Sequence, residues 1–111
     1  MADLLQITHE PQGILRLTLN DPARRNALSE AMLDHLWNAI QFASDDASVR
    51  AVIIAANGPA FCAGHDLKEL TAGRANDDNG RTYFTRIMTR CSSVMQAILQ
   101  TPKPVIAEVT A

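Results

Sequence analysis

Residues 50–68 read Arg50-Ala51-Val52-Ile53-Ile54-Ala55-Ala56-Asn57-Gly58-Pro59-Ala60-Phe61-Cys62-Ala63-Gly64-His65-Asp66-Leu67-Lys68. The first part is a continuous run of β-branched and small apolar residues closed by Asn57-Gly58-Pro59. It predicts a strand buried on both faces, a central parallel strand following a crossover helix. The second part opens as a loop and turns helical near Asp66, which can act as cap or first-turn acid. A strand–loop–helix of this kind delivers backbone N–H groups to the carboxyl end of a parallel strand, where open α/β sheets bind ligands. Gly64 permits close backbone approach, and a helix opening at Asp66 turns free N–H groups and a partial positive charge toward an oxyanion. An ordinary strand-to-helix connection, with Gly64 merely easing the turn, is the competing reading of the same residues.

Working outward toward the N-terminus, Ser29 is a good N-cap with Glu30 in the first turn. Met32, Leu33, Leu36, Trp37 and Ile40 follow at spacings of three and four. That stripe predicts the crossover helix, fading near Ser44-Asp45-Asp46. Before it, Asn20-Asp21-Pro22 breaks the chain and a polar loop runs through Ala23-Arg24-Arg25-Asn26. Leu5 to His9 and the alternating Gly13 to Leu19, joined by Pro11-Gln12-Gly13, predict a hairpin. On the other side, Gly73 to Gly80 is polar and mobile in composition. Phe84, Ile87, Met88, Cys91, Val94, Met95, Ile98 and Leu99 then predict a long helix over 81–100, ended by Pro102 and Pro104. Val105-Ile106-Ala107-Glu108-Val109 predicts another buried strand. A strand so near the C-terminus, uncovered, is an edge that intact small proteins protect, so the chain is expected to be part of a larger fold.

Composition bounds the partners. Ten Lys and Arg against twelve acids, net charge −2, do not obviously supply the clustered positive surface a phosphate backbone needs, which argues against nucleic acid as a partner. Two cysteines are too few for a disulfide framework and fit a reducing compartment, with a cytoplasmic address as the default expectation. The opening MADLLQITHEP has neither signal nor transit-peptide layout, and no apolar run suits a membrane span.

Three stretches in order, DPARRNALSEAML, VRAVIIAANGPAFCAGHDLKEL and TPKPVIAEVTA, resemble successive landmarks of the enoyl-CoA hydratase/isomerase (crotonase) superfamily over nearly the whole chain. The middle one is similar to the family's Phe-x-x-Gly-x-Asp-Leu signature, and Gly-His-Asp-Leu-Lys-Glu-Leu resembles most the branch of the enoyl-CoA hydratase domain-containing proteins. The resemblance implies an α/β, crotonase-like spiral of ββα units, of which residues 1–111 form the N-terminal portion. It implies a coenzyme A thioester as substrate, with no separate cofactor and no metal. His65 would give one oxyanion N–H from its main chain, with Gly64, Asp66 and Leu67 forming the motif around it. Ala63 would lie beside the adenine, and Arg24, Arg25 and Lys68 would be candidates for the phosphates. The second N–H donor and the hydratase glutamates are expected beyond Ala111, and that branch does not reliably carry the glutamate pair. The full-length parent is expected to be a homotrimer or a dimer of trimers.

Other readings of the same residues are weaker. Cys62 and His65 suggest a thiolate beside an imidazole, yet a short loop does not readily aim both together and no third group orients them. Cys62, His65, Asp66 and Glu69 lack a metal-ligand spacing. Arg24-Arg25 and Lys68-Glu69 are, outside the family context, solvated charges. Trp37, Met88 and Met95 are core or subunit-contact residues, and Glu108 has no family role. Two rivals stand beside the hydratase/isomerase reading. One is a noncatalytic fragment that binds coenzyme A or assembles with a partner. The other is a peptidase on a related spiral, which fails for want of a nucleophile elbow.

Overall fold

The computed structural model describes residues 3–75 and 78–109. Seven regular elements carry the fold: β1 (Leu5–Glu10), β2 (Ile14–Leu19), α1 (Glu30–Asp45), β3 (Ala51–Ala56), α2 (Leu67–Gly73), α3 (Arg81–Gln100) and β4 (Val105–Ala107). The strands form one sheet in the order β1-β2-β3-β4. β1 and β2 are an antiparallel hairpin, whereas β2–β3 and β3–β4 are parallel and therefore need the helical crossovers between them. Pro11–Gly13 closes the hairpin as a short 3-10 turn, with Gln12 and Gly13 both at positive φ.

Alternation in β2 decides which face is inside. Leu15, Leu17 and Leu19 are buried and align in register with Val52, Ile54 and Ala56 of β3. Met32, Leu33, Leu36 and Ile40 of α1, with Ile87 and Val94 of α3, complete the core on that face. Ser29 caps α1 as the sequence predicts, its hydroxyl accepting from the Met32 N–H at 3.1 Å. Two ion pairs tie α1 to α3, Glu30 to Arg86 at 2.7 Å and Asp34 to Arg90 at 2.9 Å. All four side chains are well exposed, so each pair is worth about 0–1 kcal/mol and sets register more than stability.

The opposite face of the sheet departs from expectation. β3 was expected to be buried on both faces, but while Val52 on the core face is fully buried, Ile53 on the outer face is only half-buried. Its neighbours on the outer face are polar or open: Arg16 pairs there with Glu10 and Glu108, and Ile106 is 53% exposed. β4 is likewise shorter and more open than the buried strand predicted over 105–109. It spans three residues, although the Glu108 N–H still reaches the Ile54 carbonyl at 2.8 Å. No described helix packs on this side of the sheet, which is why apolar residues suited to a two-sided strand stand half in solvent.

α3 buries Ile87, Val94 and Ala97 and turns Met88, Met95 and Leu99 outward. Trp37 is half-buried against the core. Of the segment 73–80, Gly73 ends α2 and Gly80 precedes α3, and both are buried. Residues 76 and 77 lie outside the described residues. No described helix is long and apolar enough to cross a membrane.

Candidate active site

The site forms where β3 leaves the sheet. Asn57 continues the β2–β3 ladder, its N–H on the Leu19 carbonyl at 2.9 Å. Gly58 then turns at φ +94 with its Cα so close to Pro22 that a Cβ would stand 2.7 Å from the proline Cβ. The chain thus passes directly against the 3-10 turn Pro22–Arg24, whose flanking residues grip the following loop. The Ala63 N–H donates to the Arg25 carbonyl at 3.0 Å, and the Leu28 N–H donates to the Gly64 carbonyl at 2.6 Å.

Leu28 and His65 form an isolated parallel bridge. In a parallel bridge one residue bonds to the two residues flanking its partner. Leu28, bonded to Gly64, is that residue, so the N–H and C=O of His65 point away from it. Among the described residues the His65 N–H has no backbone acceptor. Gly64 has φ +86, a conformation that disfavours any side chain, while a Cβ there would meet nothing within 4 Å. The glycine is therefore required by backbone angle and not by crowding from the protein itself.

Asp66 starts α2. One carboxylate oxygen accepts from the N–H groups of Lys68 and Glu69 at 3.0 and 3.3 Å, and the other receives Arg24 Nη1 at 3.2 Å. Asp66 is 6% exposed, whereas the Arg24 side chain is 55% exposed, so the guanidinium is anchored at one corner and open elsewhere. Glu69, one turn on, accepts from the Glu30 N–H at 3.0 Å and so caps α1 from across the gap.

A cavity of about 220 Å³ is lined by Ala23, Arg24, Ala27, Ala63, His65, Asp66, Leu67 and Lys68. Six of the eight residues singled out from sequence meet there. Arg25 and Gly64 line no wall of it, and each contributes instead a carbonyl that fixes the loop. A second, apolar groove of about 390 Å³ lies between α2 and α3, lined by Leu67, Leu70, Thr71, Arg74, Phe84 and Met88. Leu67 borders both cavities and is 73% exposed.

Cys62 Sγ accepts from the Gly64 N–H at 3.5 Å, an occupation within its own loop. His65 Nδ1 is buried without a hydrogen-bond partner among the described residues. These residues hold no His, Cys, Asp or Glu cluster suited to a metal ion. Glu108 faces Arg16 on the outer side of the sheet, away from the cavity.

Sequence reasoning missed Asn26. It lies at 0% exposure with φ 56, accepts from the Asp21 N–H and donates to the carbonyls of Asn57 and Ala60. A signal was present: Asn is the non-glycine residue most tolerant of the left-handed region, and it stands here between a polar loop and Ala27-Leu28.

Comparison with known proteins places this geometry. The sequence model of the enoyl-CoA hydratase/isomerase family matches residues 9–111. Enoyl-CoA hydratase domain-containing protein 3 of Rattus norvegicus is 42% identical over 105 residues, which are 95% of this chain and 33% of that protein. Its Homo sapiens counterpart is 44% identical over 97 residues, 87% of this chain and 30% of the relative. The chain therefore spans about a third of the length of these curated relatives. Among solved structures, an enoyl-CoA hydratase of Mycobacterium smegmatis superposes with a TM-score of 0.88 at 49% identity, over 97% of this chain and 40% of the other. The human domain-containing protein 3 gives 0.84 at 38% identity, over 96% of this chain and 40% of the other. The α/β sheet with its two crossovers is thus the N-terminal portion of a crotonase fold, and the chain belongs to the enoyl-CoA hydratase/isomerase family.

Proposed function

We propose that this chain carries the thioester-binding and carbonyl-polarising part of an enoyl-CoA hydratase or isomerase. The observation behind this reading is the His65 N–H, turned away from its bridge partner beside a cavity that also holds Arg24, Lys68 and the opening of α2. When water adds to C3 of a 2-enoyl thioester, the C2–C3 π electrons move toward the carbonyl and charge gathers on its oxygen. A proton then returns to C2. A fixed N–H donor at that oxygen is stronger toward the enolate than toward the ground state, and is worth about 2.7–4 kcal/mol in comparable oxyanion holes.

The charges suit the rest of the ligand. Arg24 keeps most of its guanidinium free, and Lys68 is exposed on the first turn of α2, so both can meet phosphate groups in a protein whose net charge is −2. Arg25 is exposed beside them, and Ala63, also exposed, leaves room for a flat base. Leu67 joins this cavity to the apolar groove of Leu70, Phe84 and Met88, which gives an acyl chain a route away from the thioester.

A binding role without turnover is favoured for these residues by one observation. Asp66, the carboxylate that lines the cavity, is already engaged by Lys68, Glu69 and Arg24 and has no lone role as acid or base. Calorimetric titration of the 111-residue chain with butyryl-CoA, beside a hydration assay on crotonyl-CoA, tests both. Binding without hydration is the expected result, lost in Gly64→Val and kept in Cys62→Ala. Equal loss in both variants would sink the backbone-donor reading, and hydration by the chain itself would overturn the assignment of binding alone.

A further inference from the structure

Three polar residues are buried among the described ones: Asn26, Ser29 and Asp66. Ser29 caps α1 and Asp66 caps α2. Asn26 caps no helix, yet it is fully buried, and its carboxamide is hydrogen-bonded at both ends. Oδ1 accepts from the Asp21 N–H at 2.7 Å, and Nδ2 donates to the Asn57 carbonyl at 2.7 Å and the Ala60 carbonyl at 2.9 Å. A buried amide bonded three times is a rigid fixture, since losing any of these bonds leaves a desolvated polar group behind.

What that fixture holds is unusual. Arg25 and Asn26 stand at φ 53 and 56, two successive non-glycine residues in the left-handed region. Such backbone persists only where its surroundings over-determine it, and such sites cluster where function needs a set geometry. This turn directs the Arg25 carbonyl to the Ala63 N–H and brings the Leu28 N–H to the Gly64 carbonyl. The segment around Asn26 therefore grips the loop at two places. Its side chain holds the carbonyls of 57 and 60, and its neighbours' backbone holds 63 and 64, immediately before His65.

We infer that Asn26 is the positioning residue of the oxyanion donor: its carboxamide locks the left-handed turn and thereby sets where the His65 N–H stands. Asn26 acts through the loop and touches no substrate. The inference rests on the thioester-binding reading given above, and its consequences for the loop are measurable without any ligand.

The variants are Asn26→Gly and Asn26→Asp. Asn26→Gly keeps a residue at ease with positive φ but removes the carboxamide. Asn26→Asp keeps the acceptor for Asp21 and turns both donors into an oxygen facing two carbonyls. Ser44→Ala is the control, because Ser44 ties α1 to Thr101 at 2.7 Å and stands outside the network around the loop. Amide hydrogen exchange is read at Ala63, Gly64 and His65 in the free protein, and the infrared carbonyl band of 13C-labelled butyryl-CoA in the complex.

In both Asn26 variants, exchange at Ala63 should rise about tenfold or more, as expected when a local closing contact is lost. The carbonyl band should move back toward its value in free butyryl-CoA, with affinity changed no more than about fivefold because Arg24 and Lys68 are untouched. Ser44→Ala should leave both readouts at wild-type values. If Asn26→Gly behaves as wild type in both, backbone angle alone sets the loop and the inference is overturned. The same holds if Ser44→Ala matches the Asn26 variants, since general loss of stability would then explain them. A wild-type protein that binds no butyryl-CoA refutes the thioester reading instead, while the exchange data still decide whether Asn26 fixes the loop. Should Asn26→Asp not fold, the exchange and infrared readouts of Asn26→Gly decide the matter alone.

Discussion

Replacing Asp66 and its ion-pair partner in turn separates the two roles of this carboxylate. As N-cap of α2 it accepts from two backbone N–H groups, and as an ion-pair partner it receives Arg24 at 3.2 Å. α2 spans seven residues, too short to persist without its cap and its packing. Loss of an Asp cap costs about 0.5–2 kcal/mol. Loss of the pair costs about 0–1 kcal/mol, because Arg24 is more than half exposed and water takes over its guanidinium. Asp66→Ala should therefore destabilise by about 0.5–3 kcal/mol, the sum of the two. Asp66→Asn keeps a cap oxygen and should recover most of that, while Arg24→Ala should cost less than about 1 kcal/mol. Urea unfolding gives the global values, with an unchanged m confirming that the unfolded surface is the same. Exchange at Leu70, whose N–H bonds to the Asp66 carbonyl at 3.1 Å, reads α2 alone and should quicken several-fold in Asp66→Ala. Equal losses in Arg24→Ala and Asp66→Ala would refute the reasoning, for they would mean that the ion pair and not the cap holds the helix.

Three further outcomes are expected. Burial holds the Tyr83 phenol above its ordinary value of 10.0, with the charges of Glu69 and Glu30 adding to the effect. A folded-state pKa raised in this way gives stability that is full below about pH 10 and lost as pH rises through the folded value. Tyr83→Phe should abolish that alkaline loss in pH-dependent urea curves. The same change removes a buried hydroxyl with no partner among the described residues and should leave neutral-pH stability unchanged or raised by about 1 kcal/mol. Hydrogen bonds from Ser48 hold Asp46 below its ordinary 3.8, and those from Thr82 do the same for Asp78. Their contributions are present above that value and fade as pH falls through the lower folded ones. Thus Ser48→Ala and Thr82→Val should flatten the acid limb of thermal melts below about pH 4. Leu17→Ala, at a site of zero exposure facing α1 and α3, should cost about 2–5 kcal/mol in urea unfolding, against less than about 0.5 for Thr8→Ala on the exposed hairpin strand.

Much of the scaffold was legible because its signals are local. Leu15, Leu17 and Leu19 alternate, Ser29 precedes a three-and-four stripe, and Asp66 follows Gly64 at a strand exit; each feature needs only neighbouring residues to be read. The exposure of β3 and β4 was not legible for the opposite reason. Ile53 and Ile106 are apolar in the manner of a two-sided strand, and sequence pattern reports that suitability without reporting what lies on each face. Met88 and Met95 show the same limit on α3, where the stripe is wider than the surface that α1 and the sheet cover. In the site, six lining residues were found from the motif and its surroundings. The carbonyls that Asn26 holds and the Leu28–His65 bridge were not, because those partners stand 31 to 37 residues away and no local pattern announces such pairings.

The arrangement of polar groups explains how so short a loop is made definite. Asn26 binds the exit of β3, Arg25 and Leu28 bind the middle of the loop, Asp66 caps α2, and Glu69 reaches back to the first N–H of α1. Apart from the Asp66 cap, each bond joins the segment before α1 or its first turn to the segment after β3, so the loop is clamped along its whole length by a stretch that precedes it in sequence by about one crossover. The N–H of His65 is left out of that clamp because the bridge to Leu28 uses Gly64 in its place. Rigidity around an unused donor is what electrostatic stabilisation of a developing oxyanion requires, since a donor already oriented spends no reorganisation when charge appears. Arg24 and Lys68, exposed and long, are by contrast suited to catching a flexible anion. The division follows from burial: a buried amide and a buried carboxylate fix the loop, and under the proposed thioester-binding role the open cations are the groups left free to meet the ligand.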